Sequence, residues 1–293
     1  MFKIFLLFIA LFLSVNCTAQ VNNEVDSLLK VLDTQEHDSA IERTLNSIGS
    51  SYIDNNPDKA LEYFEKAALL SKKLKFKLKL ANTYYSMGFC YLLKGAFDKS
   101  LDYYQQSANI YDQLKDKRRL SNAYMSIGNV FFQNKSLSKA DEYYNKAEII
   151  AKATKDTAQL GSLLAERGLM YDQSGHYDTA LRYLQNALAV ARLTNDPYLI
   201  TSSLSNIGLT YKHKKNTEVA MKYFDTVLKR YGAMQNPPVD ELAMIHNNIG
   251  ATQAQAGNYK MASEAFAKSI SYADKGQMSS IKMENFRNLA DMY

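Results

Sequence analysis

The sequence is poor in the residues that mark several large classes of protein. Cysteine occurs twice in 293 residues. Cys17 falls in a leader-like start and Cys90 stands alone, so there is no disulfide framework, and Cys90 reads as a small core residue. The four histidines, His37, His176, His213 and His246, are scattered, without the paired spacing on one helix that would hold a metal. A phosphate-cradling glycine loop, a nucleophile elbow and a paired-cysteine site are missing too, so no enzyme and no cofactor is implied. Proline occurs four times, and no low-complexity or linker segment interrupts the chain. One continuous array is therefore expected, although length alone would suggest domains of about 150 residues each. The longest apolar run, Ile4 to Val15, is about 12 residues, short of the roughly 20 that span a bilayer.

What the chain does have is a glycine in fixed company. Gly88 has Tyr84 four places before it, Tyr91 three after, Ser100 twelve after and Tyr104 sixteen after. The template falls in turn on Gly49, Gly88, Gly128, Gly168, Gly208, Gly250 and Ala290, in steps of 39, 40, 40, 40, 42 and 40 residues. Three after the anchor stand Tyr52, Tyr91, Phe131, Tyr171, Tyr211, Gln253 and Tyr293. Twelve after it come Ser100, Ala140, Ala180, Ala220 and Ala262, and sixteen after it Tyr104, Tyr144, Leu184, Phe224 and Phe266. In the first copy the equivalents, Ala60 and Phe64, come one place early. Such a period means one supersecondary unit repeated.

The unit is a pair of helices. Tyr84, Met87, Gly88 and Tyr91 fall at i, i+3, i+4 and i+7, one face of a helix. After a break at Gly95, Leu101, Tyr104 and Ala108 mark a second. Small anchor residues let the two axes approach to about 8–10 Å. One hairpin cannot bury its apolar faces alone, so the copies are expected to stack into a curved solenoid with nearest-neighbour contacts.

Over Ile41 to Tyr293 this pattern resembles the tetratricopeptide repeat family. Two departures stand out: the usual unit is about 34 residues with a closing proline, whereas here it is near 40 and the proline is absent, which predicts longer helices. The resemblance implies an all-α fold, a right-handed superhelical solenoid of antiparallel helix pairs. Residues 38–277 are read as six repeats and 278–293 as the first helix of an incomplete seventh, with Phe286, Leu289 and Tyr293 on one face. This end belongs either to a fragment of a longer protein or to a helix that frays or docks on a partner. Residues 21–37, carrying Val25, Leu28, Leu29 and Leu32, are read as an N-terminal capping helix.

The resemblance also implies that the first helices line a groove, with the places three before, one after and four after the anchor pointing into it. Those places hold Tyr85, Phe89 and Leu92, then Met125, Asn129 and Phe132, an apolar and aromatic strip. Ala165, Leu169 and Asp172 follow, then Ser205, Leu209 and Lys212, then Asn247, Ala251 and Ala254, smaller and more polar. Tyr85, Phe89, Leu92, Met125, Asn129, Phe132 and Leu169 are the candidate partner-binding residues; the alternative is that the rings form a wider core. Some family members clamp a peptide's terminal carboxylate with lysine, arginine and asparagine. Here the equivalent places hold Asn46, Ser50, Ser86, Phe89 and Asn122, so an acidic chain end is not the expected ligand. Arg167, beside its anchor, is expected to snorkel to the surface, and His246 to be a core histidine.

Met1 to Gln20 reads as a secretory signal peptide, with Lys3 as its basic start and small residues near Ala19. Acylation of Cys17 is the alternative, disfavoured by Asn16 before it. An exported protein of the periplasm or cell envelope follows, of a type resembling Bacteroidota proteins. Net charge is +5, with basic clusters at Ser71–Lys79 and Lys115–Arg119. These read as a solvated edge or, alternatively, as a surface for an acidic partner or anionic membrane; no base-reading motif points to nucleic acid. Two functions remain open. One is a scaffold binding a protein or peptide segment in the groove. The other is the extracytoplasmic sensor part of a longer histidine kinase or transcriptional regulator. Membrane contact would come through a lipidated Cys17 or a missing C-terminal segment.

Overall fold

The computed structural model describes residues 25–32 and 37–292. The leader and the flanks of the capping helix lie outside the described residues. Among the described residues there are fourteen helices and no strand, arranged in two compact units that meet in sequence between Asp156 and Thr157.

The first unit opens with α1, residues 25–32, followed by α2 (Asp38–Tyr52), α3 (Pro57–Lys73), α4 (Lys77–Leu93), α5 (Phe97–Gln113), α6 (Lys117–Gln133) and α7 (Leu137–Ala153). Val25 is fully buried against a cluster containing Ile48, Tyr52 and Phe64, with Leu28, Leu29 and Leu32 half-buried beside it. The second unit comprises α8 (Thr157–Gln173), α9 (Tyr177–Leu193), α10 (Pro197–His213), α11 (Thr217–Gly232), α12 (Val239–Gln255), α13 (Tyr259–Lys275) and α14 (Ser279–Ala290). The even-numbered helices from α2 onward are the first helices of the repeats. Each of α3 to α10 is 17 residues long, the lengthening that a 40-residue unit requires.

Short turns take over the role of the absent proline. Lys75, Gly95 and Lys115 adopt the left-handed conformation, with φ of 56°, 69° and 57°. The next amide then reaches back to an orphan carbonyl of the preceding helix: Phe76 N–H to Ser71 O and Ala96 N–H to Tyr91 O, both at 2.9 Å. For a lysine this conformation costs about 1–2 kcal/mol, and satisfying carbonyls at the helix end offsets it. At the start of α3, Pro57 takes a first-turn place where its missing donor is harmless, and Lys59 N–H donates to Asn56 Oδ1 at 3.1 Å.

Inside each pair the two strongest sequence signals touch. The Gly88 backbone lies against the Tyr104 ring and the Gly208 backbone against the Phe224 ring, so closely that a Cβ would come within 2.9 and 2.5 Å of ring carbons. Beside this contact the aromatic three after the anchor stacks on a tyrosine of the second helix. Tyr91 and Tyr103 lie 5.3 Å apart, Phe131 and Tyr143 5.4 Å, and Tyr171 and Tyr183 5.4 Å, centroid to centroid. Buried serines add a further link: Ser107 Oγ donates to Ala81 O at 2.8 Å, Ser121 to Ala147 O at 2.9 Å and Ser269 to Ala243 O at 2.7 Å.

Two side chains depart from expectation. Arg167 does not reach the surface; it is 5% exposed, its guanidinium 4.6 Å over the Tyr183 ring, where a ring face stabilises the buried cation. On α14 the buried place belongs to Asn285, which donates through Nδ2 to Ser269 Oγ at 2.8 Å, while Phe286 is exposed. Cys90 is fully buried, and burial pushes its thiol up to about 11, which makes it inert.

His246 is buried and stacks on Tyr272 at 5.6 Å. Burial, and secondarily Lys268, hold its pKa below the ordinary value, so the fold favours the neutral ring. That contribution is whole above about pH 6.5 and is lost as pH falls through the lower folded-state value. Wild type should therefore lose stability relative to His246→Leu as pH drops from about 7.5 to about 5. Urea midpoints of both proteins at the two pH values check this; a gap independent of pH would contradict a neutral buried ring.

Candidate functional site

Successive first helices are joined by polar contacts, which fixes them side by side within each unit. In the first unit Glu42 on α2 is buried and accepts from Ser71 Oγ at 3.1 Å. It also pairs with Lys79 on α4 at 2.7 Å, and Thr83 Oγ1 donates to Asn46 Oδ1 at 2.9 Å. Tyr85 on α4 meets Ser126 on α6 through their hydroxyls at 2.6 Å.

Six of the predicted groove residues lie on α4 and α6, and they divide into two kinds. Leu92 is 7% exposed and belongs to the core with Tyr104, Ile127 and Val130; it is corrected from groove to core, because it packs with Tyr104 of its own repeat and with Ile127 and Val130 on the first helix of the next. Tyr85 is half-buried, its ring edge-on to Tyr104 at 5.1 Å; burial raises its phenol pKa, and the bond to Ser126 works against that. Phe89 is 37% exposed. Met125, Asn129 and Phe132 are half-buried, and Asn129 accepts a hydrogen bond from the Tyr144 hydroxyl. Phe89, Met125, Asn129 and Phe132 keep part of their surface in solvent. Two cavities, of about 290 and 250 Å³, lie elsewhere, both lined by residues of the second unit.

Leu169, on α8, is half-buried in the second unit, whose first-helix face is polar. Asp172 is buried and accepts from His213 Nδ1 on α10 at 2.8 Å. Asn247 on α12 donates to Glu284 on α14 at 3.0 Å and accepts from Asn288 at 3.3 Å. Burial lowers the pKa of Lys212, with Glu284 and Asp172 opposing it. Asp172, Lys212 and Asn247 stand at predicted groove places; that Asp172 would choose His213 and Asn247 would choose α14 was not readable from the period. Among the described residues no three histidine, cysteine, aspartate or glutamate side chains are grouped to hold a metal ion, and no helix is long and apolar enough to cross a membrane. The basic edge of the first unit is partly neutralised, by Lys117–Asp112 at 3.0 Å, Arg118–Asp156 at 3.4 Å and Arg119–Asp116 at 2.6 Å.

The tetratricopeptide repeat pattern matches residues 40–113, 121–152, 163–198 and 201–233, together more than half of the chain. The chain belongs to the tetratricopeptide repeat family. No curated protein matches the sequence. Solved tetratricopeptide-like structures do match it in fold. A signal transduction ATPase with numerous domains and a tetratricopeptide repeat sensor, from Pyrococcus horikoshii, superposes with a TM-score of 0.67 at 15% identity, covering 92% of this chain and 43% of that one. Aspartyl phosphate phosphatase F from Bacillus subtilis gives 0.65 at 17% identity, covering 86% and 70%. NprR in complex with its cognate peptide NprX gives 0.57 at 16% identity, covering 96% and 82%. At these identities the likeness is one of fold, that of tetratricopeptide helix pairs.

Proposed function

We propose that this tetratricopeptide array is a non-enzymatic scaffold of the cell envelope that binds an extended protein or peptide segment on the first-helix face of the first unit. The observation that carries the reading is the strip of Phe89, Met125, Asn129 and Phe132, apolar apart from one amide and partly exposed on two first helices. A backbone laid along it would find apolar anchors spaced on two adjacent helices and the Asn129 amide for one hydrogen bond. NprR, of similar fold, was solved with a peptide bound, which supports the same use here. The envelope location rests on the signal-peptide reading of Met1 to Gln20. The triple variant Phe89→Ala/Met125→Ala/Phe132→Ala should bind the partner at least about tenfold more weakly while keeping its thermal midpoint, since none of the three is in the core. Capture at wild-type strength would refute the proposal.

A second reading makes the same array the extracytoplasmic sensor of a longer histidine kinase or transcriptional regulator. It is favoured by the Pyrococcus horikoshii protein, in which a tetratricopeptide sensor accompanies an ATPase and of which this chain covers 43%. Under that reading the bound segment is the signal, and the intact mass of the native protein decides between the two: a mature species near the mass of residues 20–293 fits the scaffold, a much larger one the sensor.

A further inference from the structure

The longest step in the repeat has a cavity beside it. Between Gly208 and Gly250 the step is 42 residues, because α11 ends at Gly232 and α12 begins at Val239, leaving residues 233–238 as the connection. The loop is stiffened by Pro237 and Pro238 and overhangs the start of α10, which opens with Pro197. Beneath it lies a cavity of about 250 Å³ whose walls include Tyr198, Tyr231, Met234, Pro238, Asp240 and Glu241.

The walls have two characters. Tyr198 is 71% exposed and Met234 is exposed, an unusual investment of apolar surface at the end of a helix. Tyr231 is 5% exposed, and its hydroxyl donates to Glu241 Oε2 at 3.4 Å, a weak contact. Ring faces of this kind carry a negative quadrupole that attracts cations. The other wall is acidic. Asp240 and Glu241 stand in the first turn of α12, where the helix dipole favours them, yet neither carboxylate has an ion-pair partner among the described residues. Burial, and the neighbouring Asp240 charge, raise the Glu241 pKa, as expected where negative charge is uncompensated. Arg230 Nε donates to Thr201 Oγ1 at 3.4 Å; among the described residues it pairs with neither acid.

We propose that this cavity binds an organic cation, an alkylammonium or guanidinium group, seated on the Tyr198 ring with its charge toward Asp240 and Glu241. The group could belong to a free small molecule or to a lysine or arginine side chain of a partner. The site is separate from the strip of the first unit, so it stands whether or not that strip binds a peptide.

The test is a titration of the whole chain, followed by amide chemical shifts, with choline, tetramethylammonium, N-acetyl-lysine methylamide and N-acetyl-arginine methylamide, and with 3,3-dimethylbutanol as the neutral match of choline. Saturable shifts at residues 197–201 and 231–241 are expected with the cations, and binding about tenfold weaker with the neutral alcohol. Tyr198→Ala and Glu241→Gln should each weaken the cation by a similar factor, with thermal midpoints unchanged because both side chains are at the surface or half-buried. Tighter binding of choline and tetramethylammonium identifies a free ligand, and tighter binding of the amino-acid amides a partner's side chain. Absence of saturation with every cation, or equal binding of the neutral alcohol, overturns the proposal.

Discussion

Phe224→Ala should lower the unfolding free energy of the protein by about 3–5 kcal/mol. The ring is 0% exposed and stands in the largest cluster of the second unit, with Leu184, Leu204, Ile207, Val227 and Tyr231 around it. These neighbours come from three different helices, α9, α10 and α11, so closing the hole would require moving helix axes that other contacts hold in place. The loss therefore includes the cavity as well as the transfer of the ring to water. Urea denaturation followed by helical circular dichroism measures it. A loss below about 1 kcal/mol would mean that the helices can collapse onto the gap, and that the glycine-to-ring contact is not what sets their spacing.

The second large effect lies on the other side of that contact. An added Cβ at Gly208 would meet Phe224 carbons at 2.5, 2.8 and 3.2 Å, closer than packed carbons allow. Gly208→Ala should therefore cost about 1–3 kcal/mol through strain, even though alanine is the better helix former by about 1 kcal/mol. Gly128 supplies the control. A Cβ there would meet Ala140 O at 3.3 Å and Tyr144 ring carbons at 3.4 Å, so a small adjustment suffices, and the helix-propensity gain of about 1 kcal/mol roughly cancels the strain. Gly128→Ala should leave the urea midpoint almost where it was. Equal effects at the two anchors would show that the substitutions report helix propensity alone. In the double variant Gly208→Ala/Phe224→Ala the costs should be less than additive, because the new methyl enters the space the ring has left.

The contrast also explains what the sequence could and could not reveal. Gly208 and Phe224 are legible together because a close approach needs one residue with no side chain and one large side chain at a fixed spacing, a ring in five of the six complete copies and Leu184 in the other. The tyrosines Tyr103, Tyr143, Tyr183 and Tyr223 recur as regularly, one place before the large apolar residue sixteen after the anchor, and their stacking on the first-helix aromatics is a consequence of the period. Leu92 was misplaced for a geometric reason. Asp172 at the same place in its repeat is also buried, whereas Phe132 there is half-buried, so burial four residues after the anchor depends on which side chains the neighbouring helices present, which the period does not specify. Arg167 looked like a charge bound for water, and nothing in the spacing announced that the Tyr183 ring would cover it. The polar partners on the second unit's face depend on which side chains reach across, which a period cannot specify. The cavity under residues 233–238 stands at the longest step, of 42 residues; the step is visible in the sequence, but its consequence depends on where the extra residues fold.

The most direct test of partner binding on the first-helix face is site-specific photocrosslinking in the source cells. A benzophenone amino acid is placed singly at Phe89 or Phe132, and for comparison at Leu69 or Ile149, which are exposed on the second helices α3 and α7. Discrete adducts from the Phe89 and Phe132 positions, and none from Leu69 or Ile149, are the predicted result. Adducts confined to the second-helix positions would contradict the account and move the binding surface to the opposite helices.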